Sequence, residues 1–317
     1  MSGIAVAVTG AAGFLGRTLT PVLRDDPAIG RVVALDVATG STEGVDWVTA
    51  DVRDPSLEHK LRGIDVVVHL AFVVLGDLRQ AEDINVRGSA NVFSSTARAG
   101  CRRLVHASSV AAYGYGIEGR LLTEDDPIRP IEAFTYSRTK GAAERALDAT
   151  LESHPSMQAI RLRPSIILGP NNHDFLESLM RRRAVIRPGR RAGAMQFVHI
   201  DDVVEAFRLA AIGEATGAFN VAGPGAVSYR EIAEISGKRL ATIPEPLARL
   251  GARTAARFRP KLGLDAGWVM IARRPPIVSS ARAENELGWR PTRSSRQAIE
   301  GFLSDSLAAI NVSVGGR

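Results

Sequence analysis

The six residues Ile4–Thr9 (IAVAVT) run without a spacer into Gly10-Ala11-Ala12-Gly13-Phe14-Leu15-Gly16, and this junction constrains the chain more than any other stretch. An apolar, partly β-branched run reads as a strand, and the residues after Gly13 carry helical spacing. Between them, Gly10 permits a tight turn, Gly13 lets a ligand approach the backbone, and Gly16 lets the helix pack closely. A helix that opens this way presents unpaired N–H groups and the positive end of its dipole, which suits a pyrophosphate. The backbone of Gly10, Gly13, Phe14, Leu15 and Gly16 is therefore expected to cradle a dinucleotide. Twenty residues after Gly16 comes Asp36, at the end of the next apolar run. A carboxylate there accepts hydrogen bonds from both ribose hydroxyls and repels a 2′-phosphate, and no arginine follows within several positions. The expected cofactor is NAD rather than NADP. The competing reading is a glycine turn with a helix-capping aspartate.

Further along, Val32–Leu35, Val45–Ala50, Val66–Leu70, Leu104–Ala107 and Ala159–Leu162 are short and nearly continuous in apolar character, as strands covered on both faces should be. Leu15–Leu23, Ala81–Ala99 and Ser137–Leu151 carry helical spacing between them. Strands that alternate with helices predict an α/β fold, a doubly wound parallel-sheet Rossmann domain. After Gly169-Pro170 the rhythm breaks. Phe197–Ile212, a strand running into a helix, and Phe219–Val221 look like returns to the main sheet. The predicted organisation is a cofactor domain over 1–164, rejoined by 196–222. A smaller, interleaved C-terminal substrate lobe takes 165–195 and 223–317.

Composition narrows the partners. No stretch approaches the roughly 18 uninterrupted apolar residues of a membrane helix, so no membrane partner is expected. The N-terminus does not read as a signal peptide, and the single cysteine, Cys101, fits a reducing cytoplasm. The net charge of +6 invites a nucleic-acid reading. Against it, the excess sits in Arg181–Arg183, Arg187–Arg191 and the stretch from Arg249 to Lys261, and aromatic residues are only 5% of the chain, too few for base stacking. A solvated surface plus an anionic-ligand site is expected, with a small-molecule substrate and no nucleic acid. The histidines stand singly, so no metal site is expected.

Tyr136-Ser137-Arg138-Thr139-Lys140 places a phenol and an ammonium four residues apart, on one helix face. A free tyrosine titrates near about 10, too high for a base at neutral pH. A neighbouring cation and a positive nicotinamide ring both favour the phenolate. Lys140 is also placed to reach the nicotinamide ribose. This spacing recurs by accident on many helices; its weight comes from its place after the fifth strand. Ser108-Ser109 ends that strand, where an open α/β sheet meets its ligand. Ser109 is the candidate to hold the reacting oxygen.

With these residues together, the chain resembles an extended short-chain dehydrogenase/reductase of the NAD-dependent epimerase/dehydratase family. The resemblance runs from Ile4 to about Pro291. It is carried by Thr9–Gly16, Asp36, Asp51-Val52, His69-Leu70-Ala71, Asn85–Asn91, Ser108–Gly114, Tyr136–Lys140, Arg163-Pro164-Ser165, Phe197–Val203 and Glu286–Pro291. It implies that Asp51 and Val52 contact the adenine, and that Leu70, Ala71 and Phe72 line the ribose and pyrophosphate. It also implies that Ser109, Tyr136 and Lys140 are catalytic. Asn85 matches a helix asparagine of the family and is read here as mainly structural, ahead of a proton-relay role. Homodimerisation through the helices Ala81–Ala99 and Ser137–Leu151 is expected by the same analogy.

Two departures narrow the reaction. Family dehydratases carry acidic residues directly after the catalytic serine or threonine; here these are Val110 and Ala111, which disfavours a 4,6-dehydratase. Sugar-nucleotide members usually carry asparagine where this chain has Ile166, so the pocket floor is expected to be apolar. Arg187, Arg190, Arg191, Arg273 and Arg274 weigh the other way, since paired guanidinium forks suit a diphosphate. The leading expectation is an NAD-dependent oxidoreductase moving hydride between NAD and a secondary alcohol or ketone. An NAD-dependent sugar-nucleotide epimerase is the alternative within the family. A non-catalytic NAD-binding sensor or scaffold is the alternative outside enzymes, disfavoured because both Tyr136 and Lys140 are kept.

Overall fold

The computed structural model describes residues 3–74, 78–170, 183–258 and 265–314. Its centre is a parallel sheet of seven strands: β1 (Ile4–Thr9), β2 (Ile29–Asp36), β3 (Asp46–Thr49), β4 (Val66–His69), β5 (Arg103–Ala107), β6 (Gln158–Pro164) and β10 (Gly217–Val221). Their order is β10-β6-β5-β4-β1-β2-β3, every neighbouring pair parallel. The direction of winding reverses between β1 and β4, which opens a crevice at their carboxyl ends. Each strand covered on both faces explains the absence of polar alternation: Val6, Ala7 and Val8 are fully buried, as are Val66, Val67 and Val68.

One face is covered by α1 (Phe14–Arg24) and α6 (Ile200–Ile212), which pack on each other around Leu19, Leu23, Val203 and Phe207. The other carries the single-turn α2 (Leu57–Lys60), α3 (Leu78–Glu82), α4 (Ser89–Arg98) and α5 (Thr135–Ser153) around Leu57, Phe93, Leu104 and Leu147. The helix expected over Ala81–Ala99 exists but is not uniform: a π-turn, Asp83–Gly88, joins α3 to α4.

The two expected returns differ. Gly217–Val221 does add to the main sheet, beside β6. Phe197–His199 (β9) does not; it pairs with β7 (Ile166–Leu168) in a separate two-stranded sheet. β10 takes the place beside β6, while β9 finds its backbone partner in β7 and meets the main core through Val198 and the helix α6 that follows it. A third small sheet pairs β8 (Ala184–Pro188) with β11 (Arg239–Ile243). Around these lie α7 (Tyr229–Ile235), α8 (Glu245–Phe258), α9 (Ala266–Ile271), α10 (Ala281–Glu286) and α11 (Ser295–Val314). Among the described residues no helix is long and apolar enough to cross a membrane.

Candidate active site

The glycine turn after β1 has the form its sequence predicts. Gly10 adopts φ +74°, and a Cβ there would lie 2.6 Å from the amide nitrogen of Ala71. A Cβ on Gly16 would lie 2.3 Å from the Gly10 carbonyl oxygen, so helix and turn touch through bare backbone. The N-cap of α1 is Gly13, and no side chain caps it. The first turn of α1 carries no acidic residue, so the positive end of its dipole is not offset from within the helix. Asp36 stands beside this end: its Oδ2 accepts from the Ala12 amide at 3.0 Å and its Oδ1 from the Ala38 amide at 3.0 Å. A carboxylate has about four acceptor positions, so two remain for ribose hydroxyls. Bare helix end, absent side chains and a fixed carboxylate together fit a dinucleotide.

On the other side of the crevice, His69 ends β4. Its Nδ1 lies 2.7 Å from Thr9 Oγ1 and its Nε2 2.9 Å from Ser89 Oγ, so it ties β1 and β4 to α4. Burial drives its pKa down to about 3, so the ring is neutral and serves as a strut. Leu70, Ala71 and Phe72 follow, each half-buried. Asn85 fixes the loop beyond them: its Oδ1 accepts from the Val73 amide at 2.7 Å and its Nδ2 donates to the Val73 carbonyl at 2.9 Å. These bonds support its mainly structural reading. Asp51 is half-buried and held by Arg53, which also pairs with Asp83, and this lowers its carboxyl pKa. Val52 rests against Gly88.

The three expected catalytic side chains come from two elements. Ser109 follows β5 in extended backbone and caps a 3-10 turn, Val110–Tyr113, accepting from the Ala111 amide at 3.1 Å. Tyr136 lies in the first turn of α5. Burial pushes the phenol above its usual value, and the neighbouring Ser109 hydroxyl pulls partly back. Lys140, one turn on, donates to the Ala107 carbonyl at 2.7 Å. Its Nζ lies 3.4 Å from the Phe72 ring centre and 5.8 Å from that of Tyr136. Burial brings the ammonium pKa down to about 7.

Behind these groups lies a buried ion pair. Glu144, four residues after Lys140, is fully buried and receives Arg163 through two nitrogens, at 2.9 and 2.6 Å. It also accepts from Ser108 Oγ, beside Ser109. The remaining Arg163 nitrogen, Nη1, donates to Tyr113 at 2.8 Å. The pair locks the 3-10 turn after β5 to α5, which fixes Ser109 relative to Tyr136. Arg163 belongs to a motif noted above; Glu144 escaped notice although it continues the Tyr136–Lys140 face by one turn.

Trp268 was also missed. Its ring stacks on Tyr136, with centres 5.6 Å apart and planes 19° apart, while Phe72 meets the same phenol edge-on at 5.9 Å. The helix carrying it is fastened to α5: Asp265 accepts from the Thr135 amide at 2.8 Å, and Gly267 packs on Phe134. The available signal was an aspartate N-cap before Ala266-Gly267-Trp268, without any motif spacing.

A cavity of about 1150 Å³ adjoins these segments. Tyr115, Met270, Arg191, Arg249, Arg273 and Arg274 are among its lining residues. Arg249 is paired with Glu245, and Arg274 lies over the Tyr115 ring. Arg191 and Arg273 have no carboxylate partner among the described residues, and with Arg190 they also line an adjoining cavity of about 590 Å³. Arg187 instead bonds Thr242. Ile166, expected in the pocket floor, lines neither cavity.

Residues 6–222 match the model of the NAD dependent epimerase/dehydratase family. A UDP-glucose 4-epimerase of Mycolicibacterium smegmatis is 29% identical, over 92% of this chain and 95% of that protein. Sterol demethylase protein B of Methylococcus capsulatus is 36% identical over 62% of each chain. Among solved structures, MoeE5 in complex with UDP-glucuronic acid and NAD superposes with a TM-score of 0.77 at 25% identity, covering 96% of this chain and 99% of MoeE5.

Proposed function

The chain belongs to the NAD dependent epimerase/dehydratase family, and on that premise we propose that it oxidises or reduces a secondary alcohol or ketone whose substrate carries an anionic, diphosphate-like tail. The cavity carries this reading: two of its arginines, Arg191 and Arg273, have no carboxylate partner among the described residues, and Met270, on the helix whose Trp268 stacks on Tyr136, lines it with them. Guanidinium groups so placed favour a phosphate-bearing substrate, of the nucleoside-diphosphate-sugar class, over the apolar alcohol that Ile166 suggests. The UDP-sugar and NAD named with MoeE5 and the epimerase from Mycolicibacterium smegmatis agree in kind.

NAD, when bound, takes or returns the hydride, and its positive ring favours the phenolate. The chain's own groups do the rest. The bare end of α1 and the Asp36 carboxylate hold the cofactor. Ser109 Oγ orients the reacting oxygen, and Tyr136 gives or takes the proton at its hydroxyl. Lys140 supplies the neighbouring cation, and its burial keeps that charge poorly screened. In an epimerase the same half-reaction runs forward and back on opposite faces of one carbon, with the same side chains. Val110 and Ala111 offer no carboxyl to protonate a leaving hydroxyl, which speaks against dehydration.

We also infer the two-lobe division at 164/165, with 196–222 returning to the cofactor domain through α6 and β10 while β9 pairs with β7, a homodimer through α3–α4 and α5, and a cytoplasmic setting. Sedimentation reads the dimer. The direct test of the site is Tyr136→Phe. Turnover should vanish while NADH affinity changes less than about three-fold, because the phenol is a proton donor rather than an anchor. Retained turnover would sink the assignment. A screen of nucleoside-diphosphate sugars against apolar ketones then decides the substrate class, and activity confined to the ketones refutes it.

A further inference from the structure

The helix α8, Glu245–Phe258, is amphipathic in the wrong direction for a helix of a globular surface. None of its residues is buried. Its inward side, against α9, is made of Ala248, Arg249, Ala252, Ala255 and Ala256, all half-buried. Its outward side shows Leu247, Leu250 and Phe258 at 59, 59 and 76% exposure. With 3.6 residues per turn these three share one face with Thr254. Arg253 and Arg257, both exposed and one turn apart, form a stripe beside it. The only acid on the helix, Glu245, is taken up by Arg249. Small residues inside and bulky apolar residues outside invert the ordinary pattern, in which the large side chains face the core.

We propose that this face docks on the surface of a membrane containing anionic phospholipid, with the helix lying in the interface and not crossing it. Leucine and phenylalanine enter the boundary of the acyl chains while the flanking arginines meet headgroup phosphates, a division of labour that suits an interfacial helix. Charge complementarity selects this occupant. A second copy facing the same surface would set Arg253 and Arg257 against their own equivalents, on a chain of net charge +6. A nucleic acid would satisfy the arginines but strand the leucines and Phe258. The expectation of no membrane partner concerned spanning segments, and an interfacial helix is outside that test. Arg249, on the inner side, lines the large cavity, so α8 is the wall between that cavity and the docked surface. The inference stands whether or not the proposed substrate is correct.

The test is co-sedimentation of the full chain with phosphatidylcholine vesicles, with and without phosphatidylglycerol. The protein should pellet with the anionic vesicles, and less so as salt is raised. The variant L247S/L250S/F258S should bind at least about ten-fold more weakly, and R253Q/R257Q should lose the preference for phosphatidylglycerol. Both variants should keep the wild-type thermal midpoint and NADH affinity, since the altered side chains support no core. The proposal is overturned if the wild type stays in the supernatant, or if the triple variant pellets equally well. It is also overturned if the face proves to hold two copies together, read as a dimer that the triple variant dissociates.

Discussion

Replacing Arg163 with methionine probes how the buried ion pair behind the site is balanced. In the wild type, Glu144 is fully buried yet keeps its charge because Arg163 binds both of its oxygens; with Arg161 3.5 Å away, these contacts hold its pKa below the usual carboxylate range. Burial acts in the opposite direction and is the largest single influence on that carboxyl. Without Arg163 it prevails, and the least costly folded state carries Glu144 protonated. Taking up a proton at pH 7 on a group whose unfolded pKa is about 4.3 costs about 1.36 kcal/mol per pH unit of separation, hence about 3.5 kcal/mol. That agrees with the roughly 3–5 kcal/mol for breaking a buried pair from one side. The sign with pH follows. The folded variant binds one proton more than its unfolded chain above about pH 4.3, so its stability relative to wild type falls as pH rises. The deficit should be near about 1 kcal/mol at pH 5 and grow to about 3.5 at pH 7. Urea unfolding followed by tryptophan fluorescence at the two pH values measures both. The double variant Glu144→Leu/Arg163→Met should recover most of the loss, because an apolar pair of similar volume leaves no charge stranded. A deficit independent of pH, or a double variant no better than the single one, would refute the reasoning.

Two further outcomes follow from the site. Asp36→Ala should weaken NADH binding roughly thirty- to a hundred-and-fifty-fold, the value of two hydrogen bonds at about 1–1.5 kcal/mol each, and should narrow the gap to NADPH; fluorescence titration with an unchanged preference contradicts the role given to the carboxylate. Trp268→Ala removes a stacked ring worth about 0.5–1.5 kcal/mol, so kcat should fall roughly three- to ten-fold with NADH affinity kept, and Trp268→Phe should restore most of it.

Where local chemistry and tertiary role coincide, the sequence was legible. Ile4–Thr9 was read to the residue because a buried parallel strand must be apolar throughout, and Gly10 because only a residue without Cβ fits against Ala71. β2 begins at Ile29, earlier than its apolar run, because pairing with β1 carries the strand through Gly30 and Arg31, which have no apolar signal. β8 and β11 were invisible for a related reason: half-buried and mixed in polarity, they are strands only because each supplies the other's backbone partners. Ser109, Tyr136 and Lys140 could be singled out as candidates because two sit on one helix and the third follows closely on a strand. Trp268 could not, because its partner lies more than a hundred residues away and nothing local marks the encounter. Ile166 is legible in type, but its place relative to the two cavities depends on the pairing of β7 with β9, which nothing local announces.

The ring of Trp268 belongs to a late segment of the chain, yet it roofs one face of Tyr136, and that segment is fastened at Thr135 and Phe134. One side of the phenol is thus covered by a segment more than a hundred residues further along the chain, so under the proposed proton-transfer role any exchange on that face would depend on how firmly Asp265 and Gly267 hold α9, a helix of six residues, to α5.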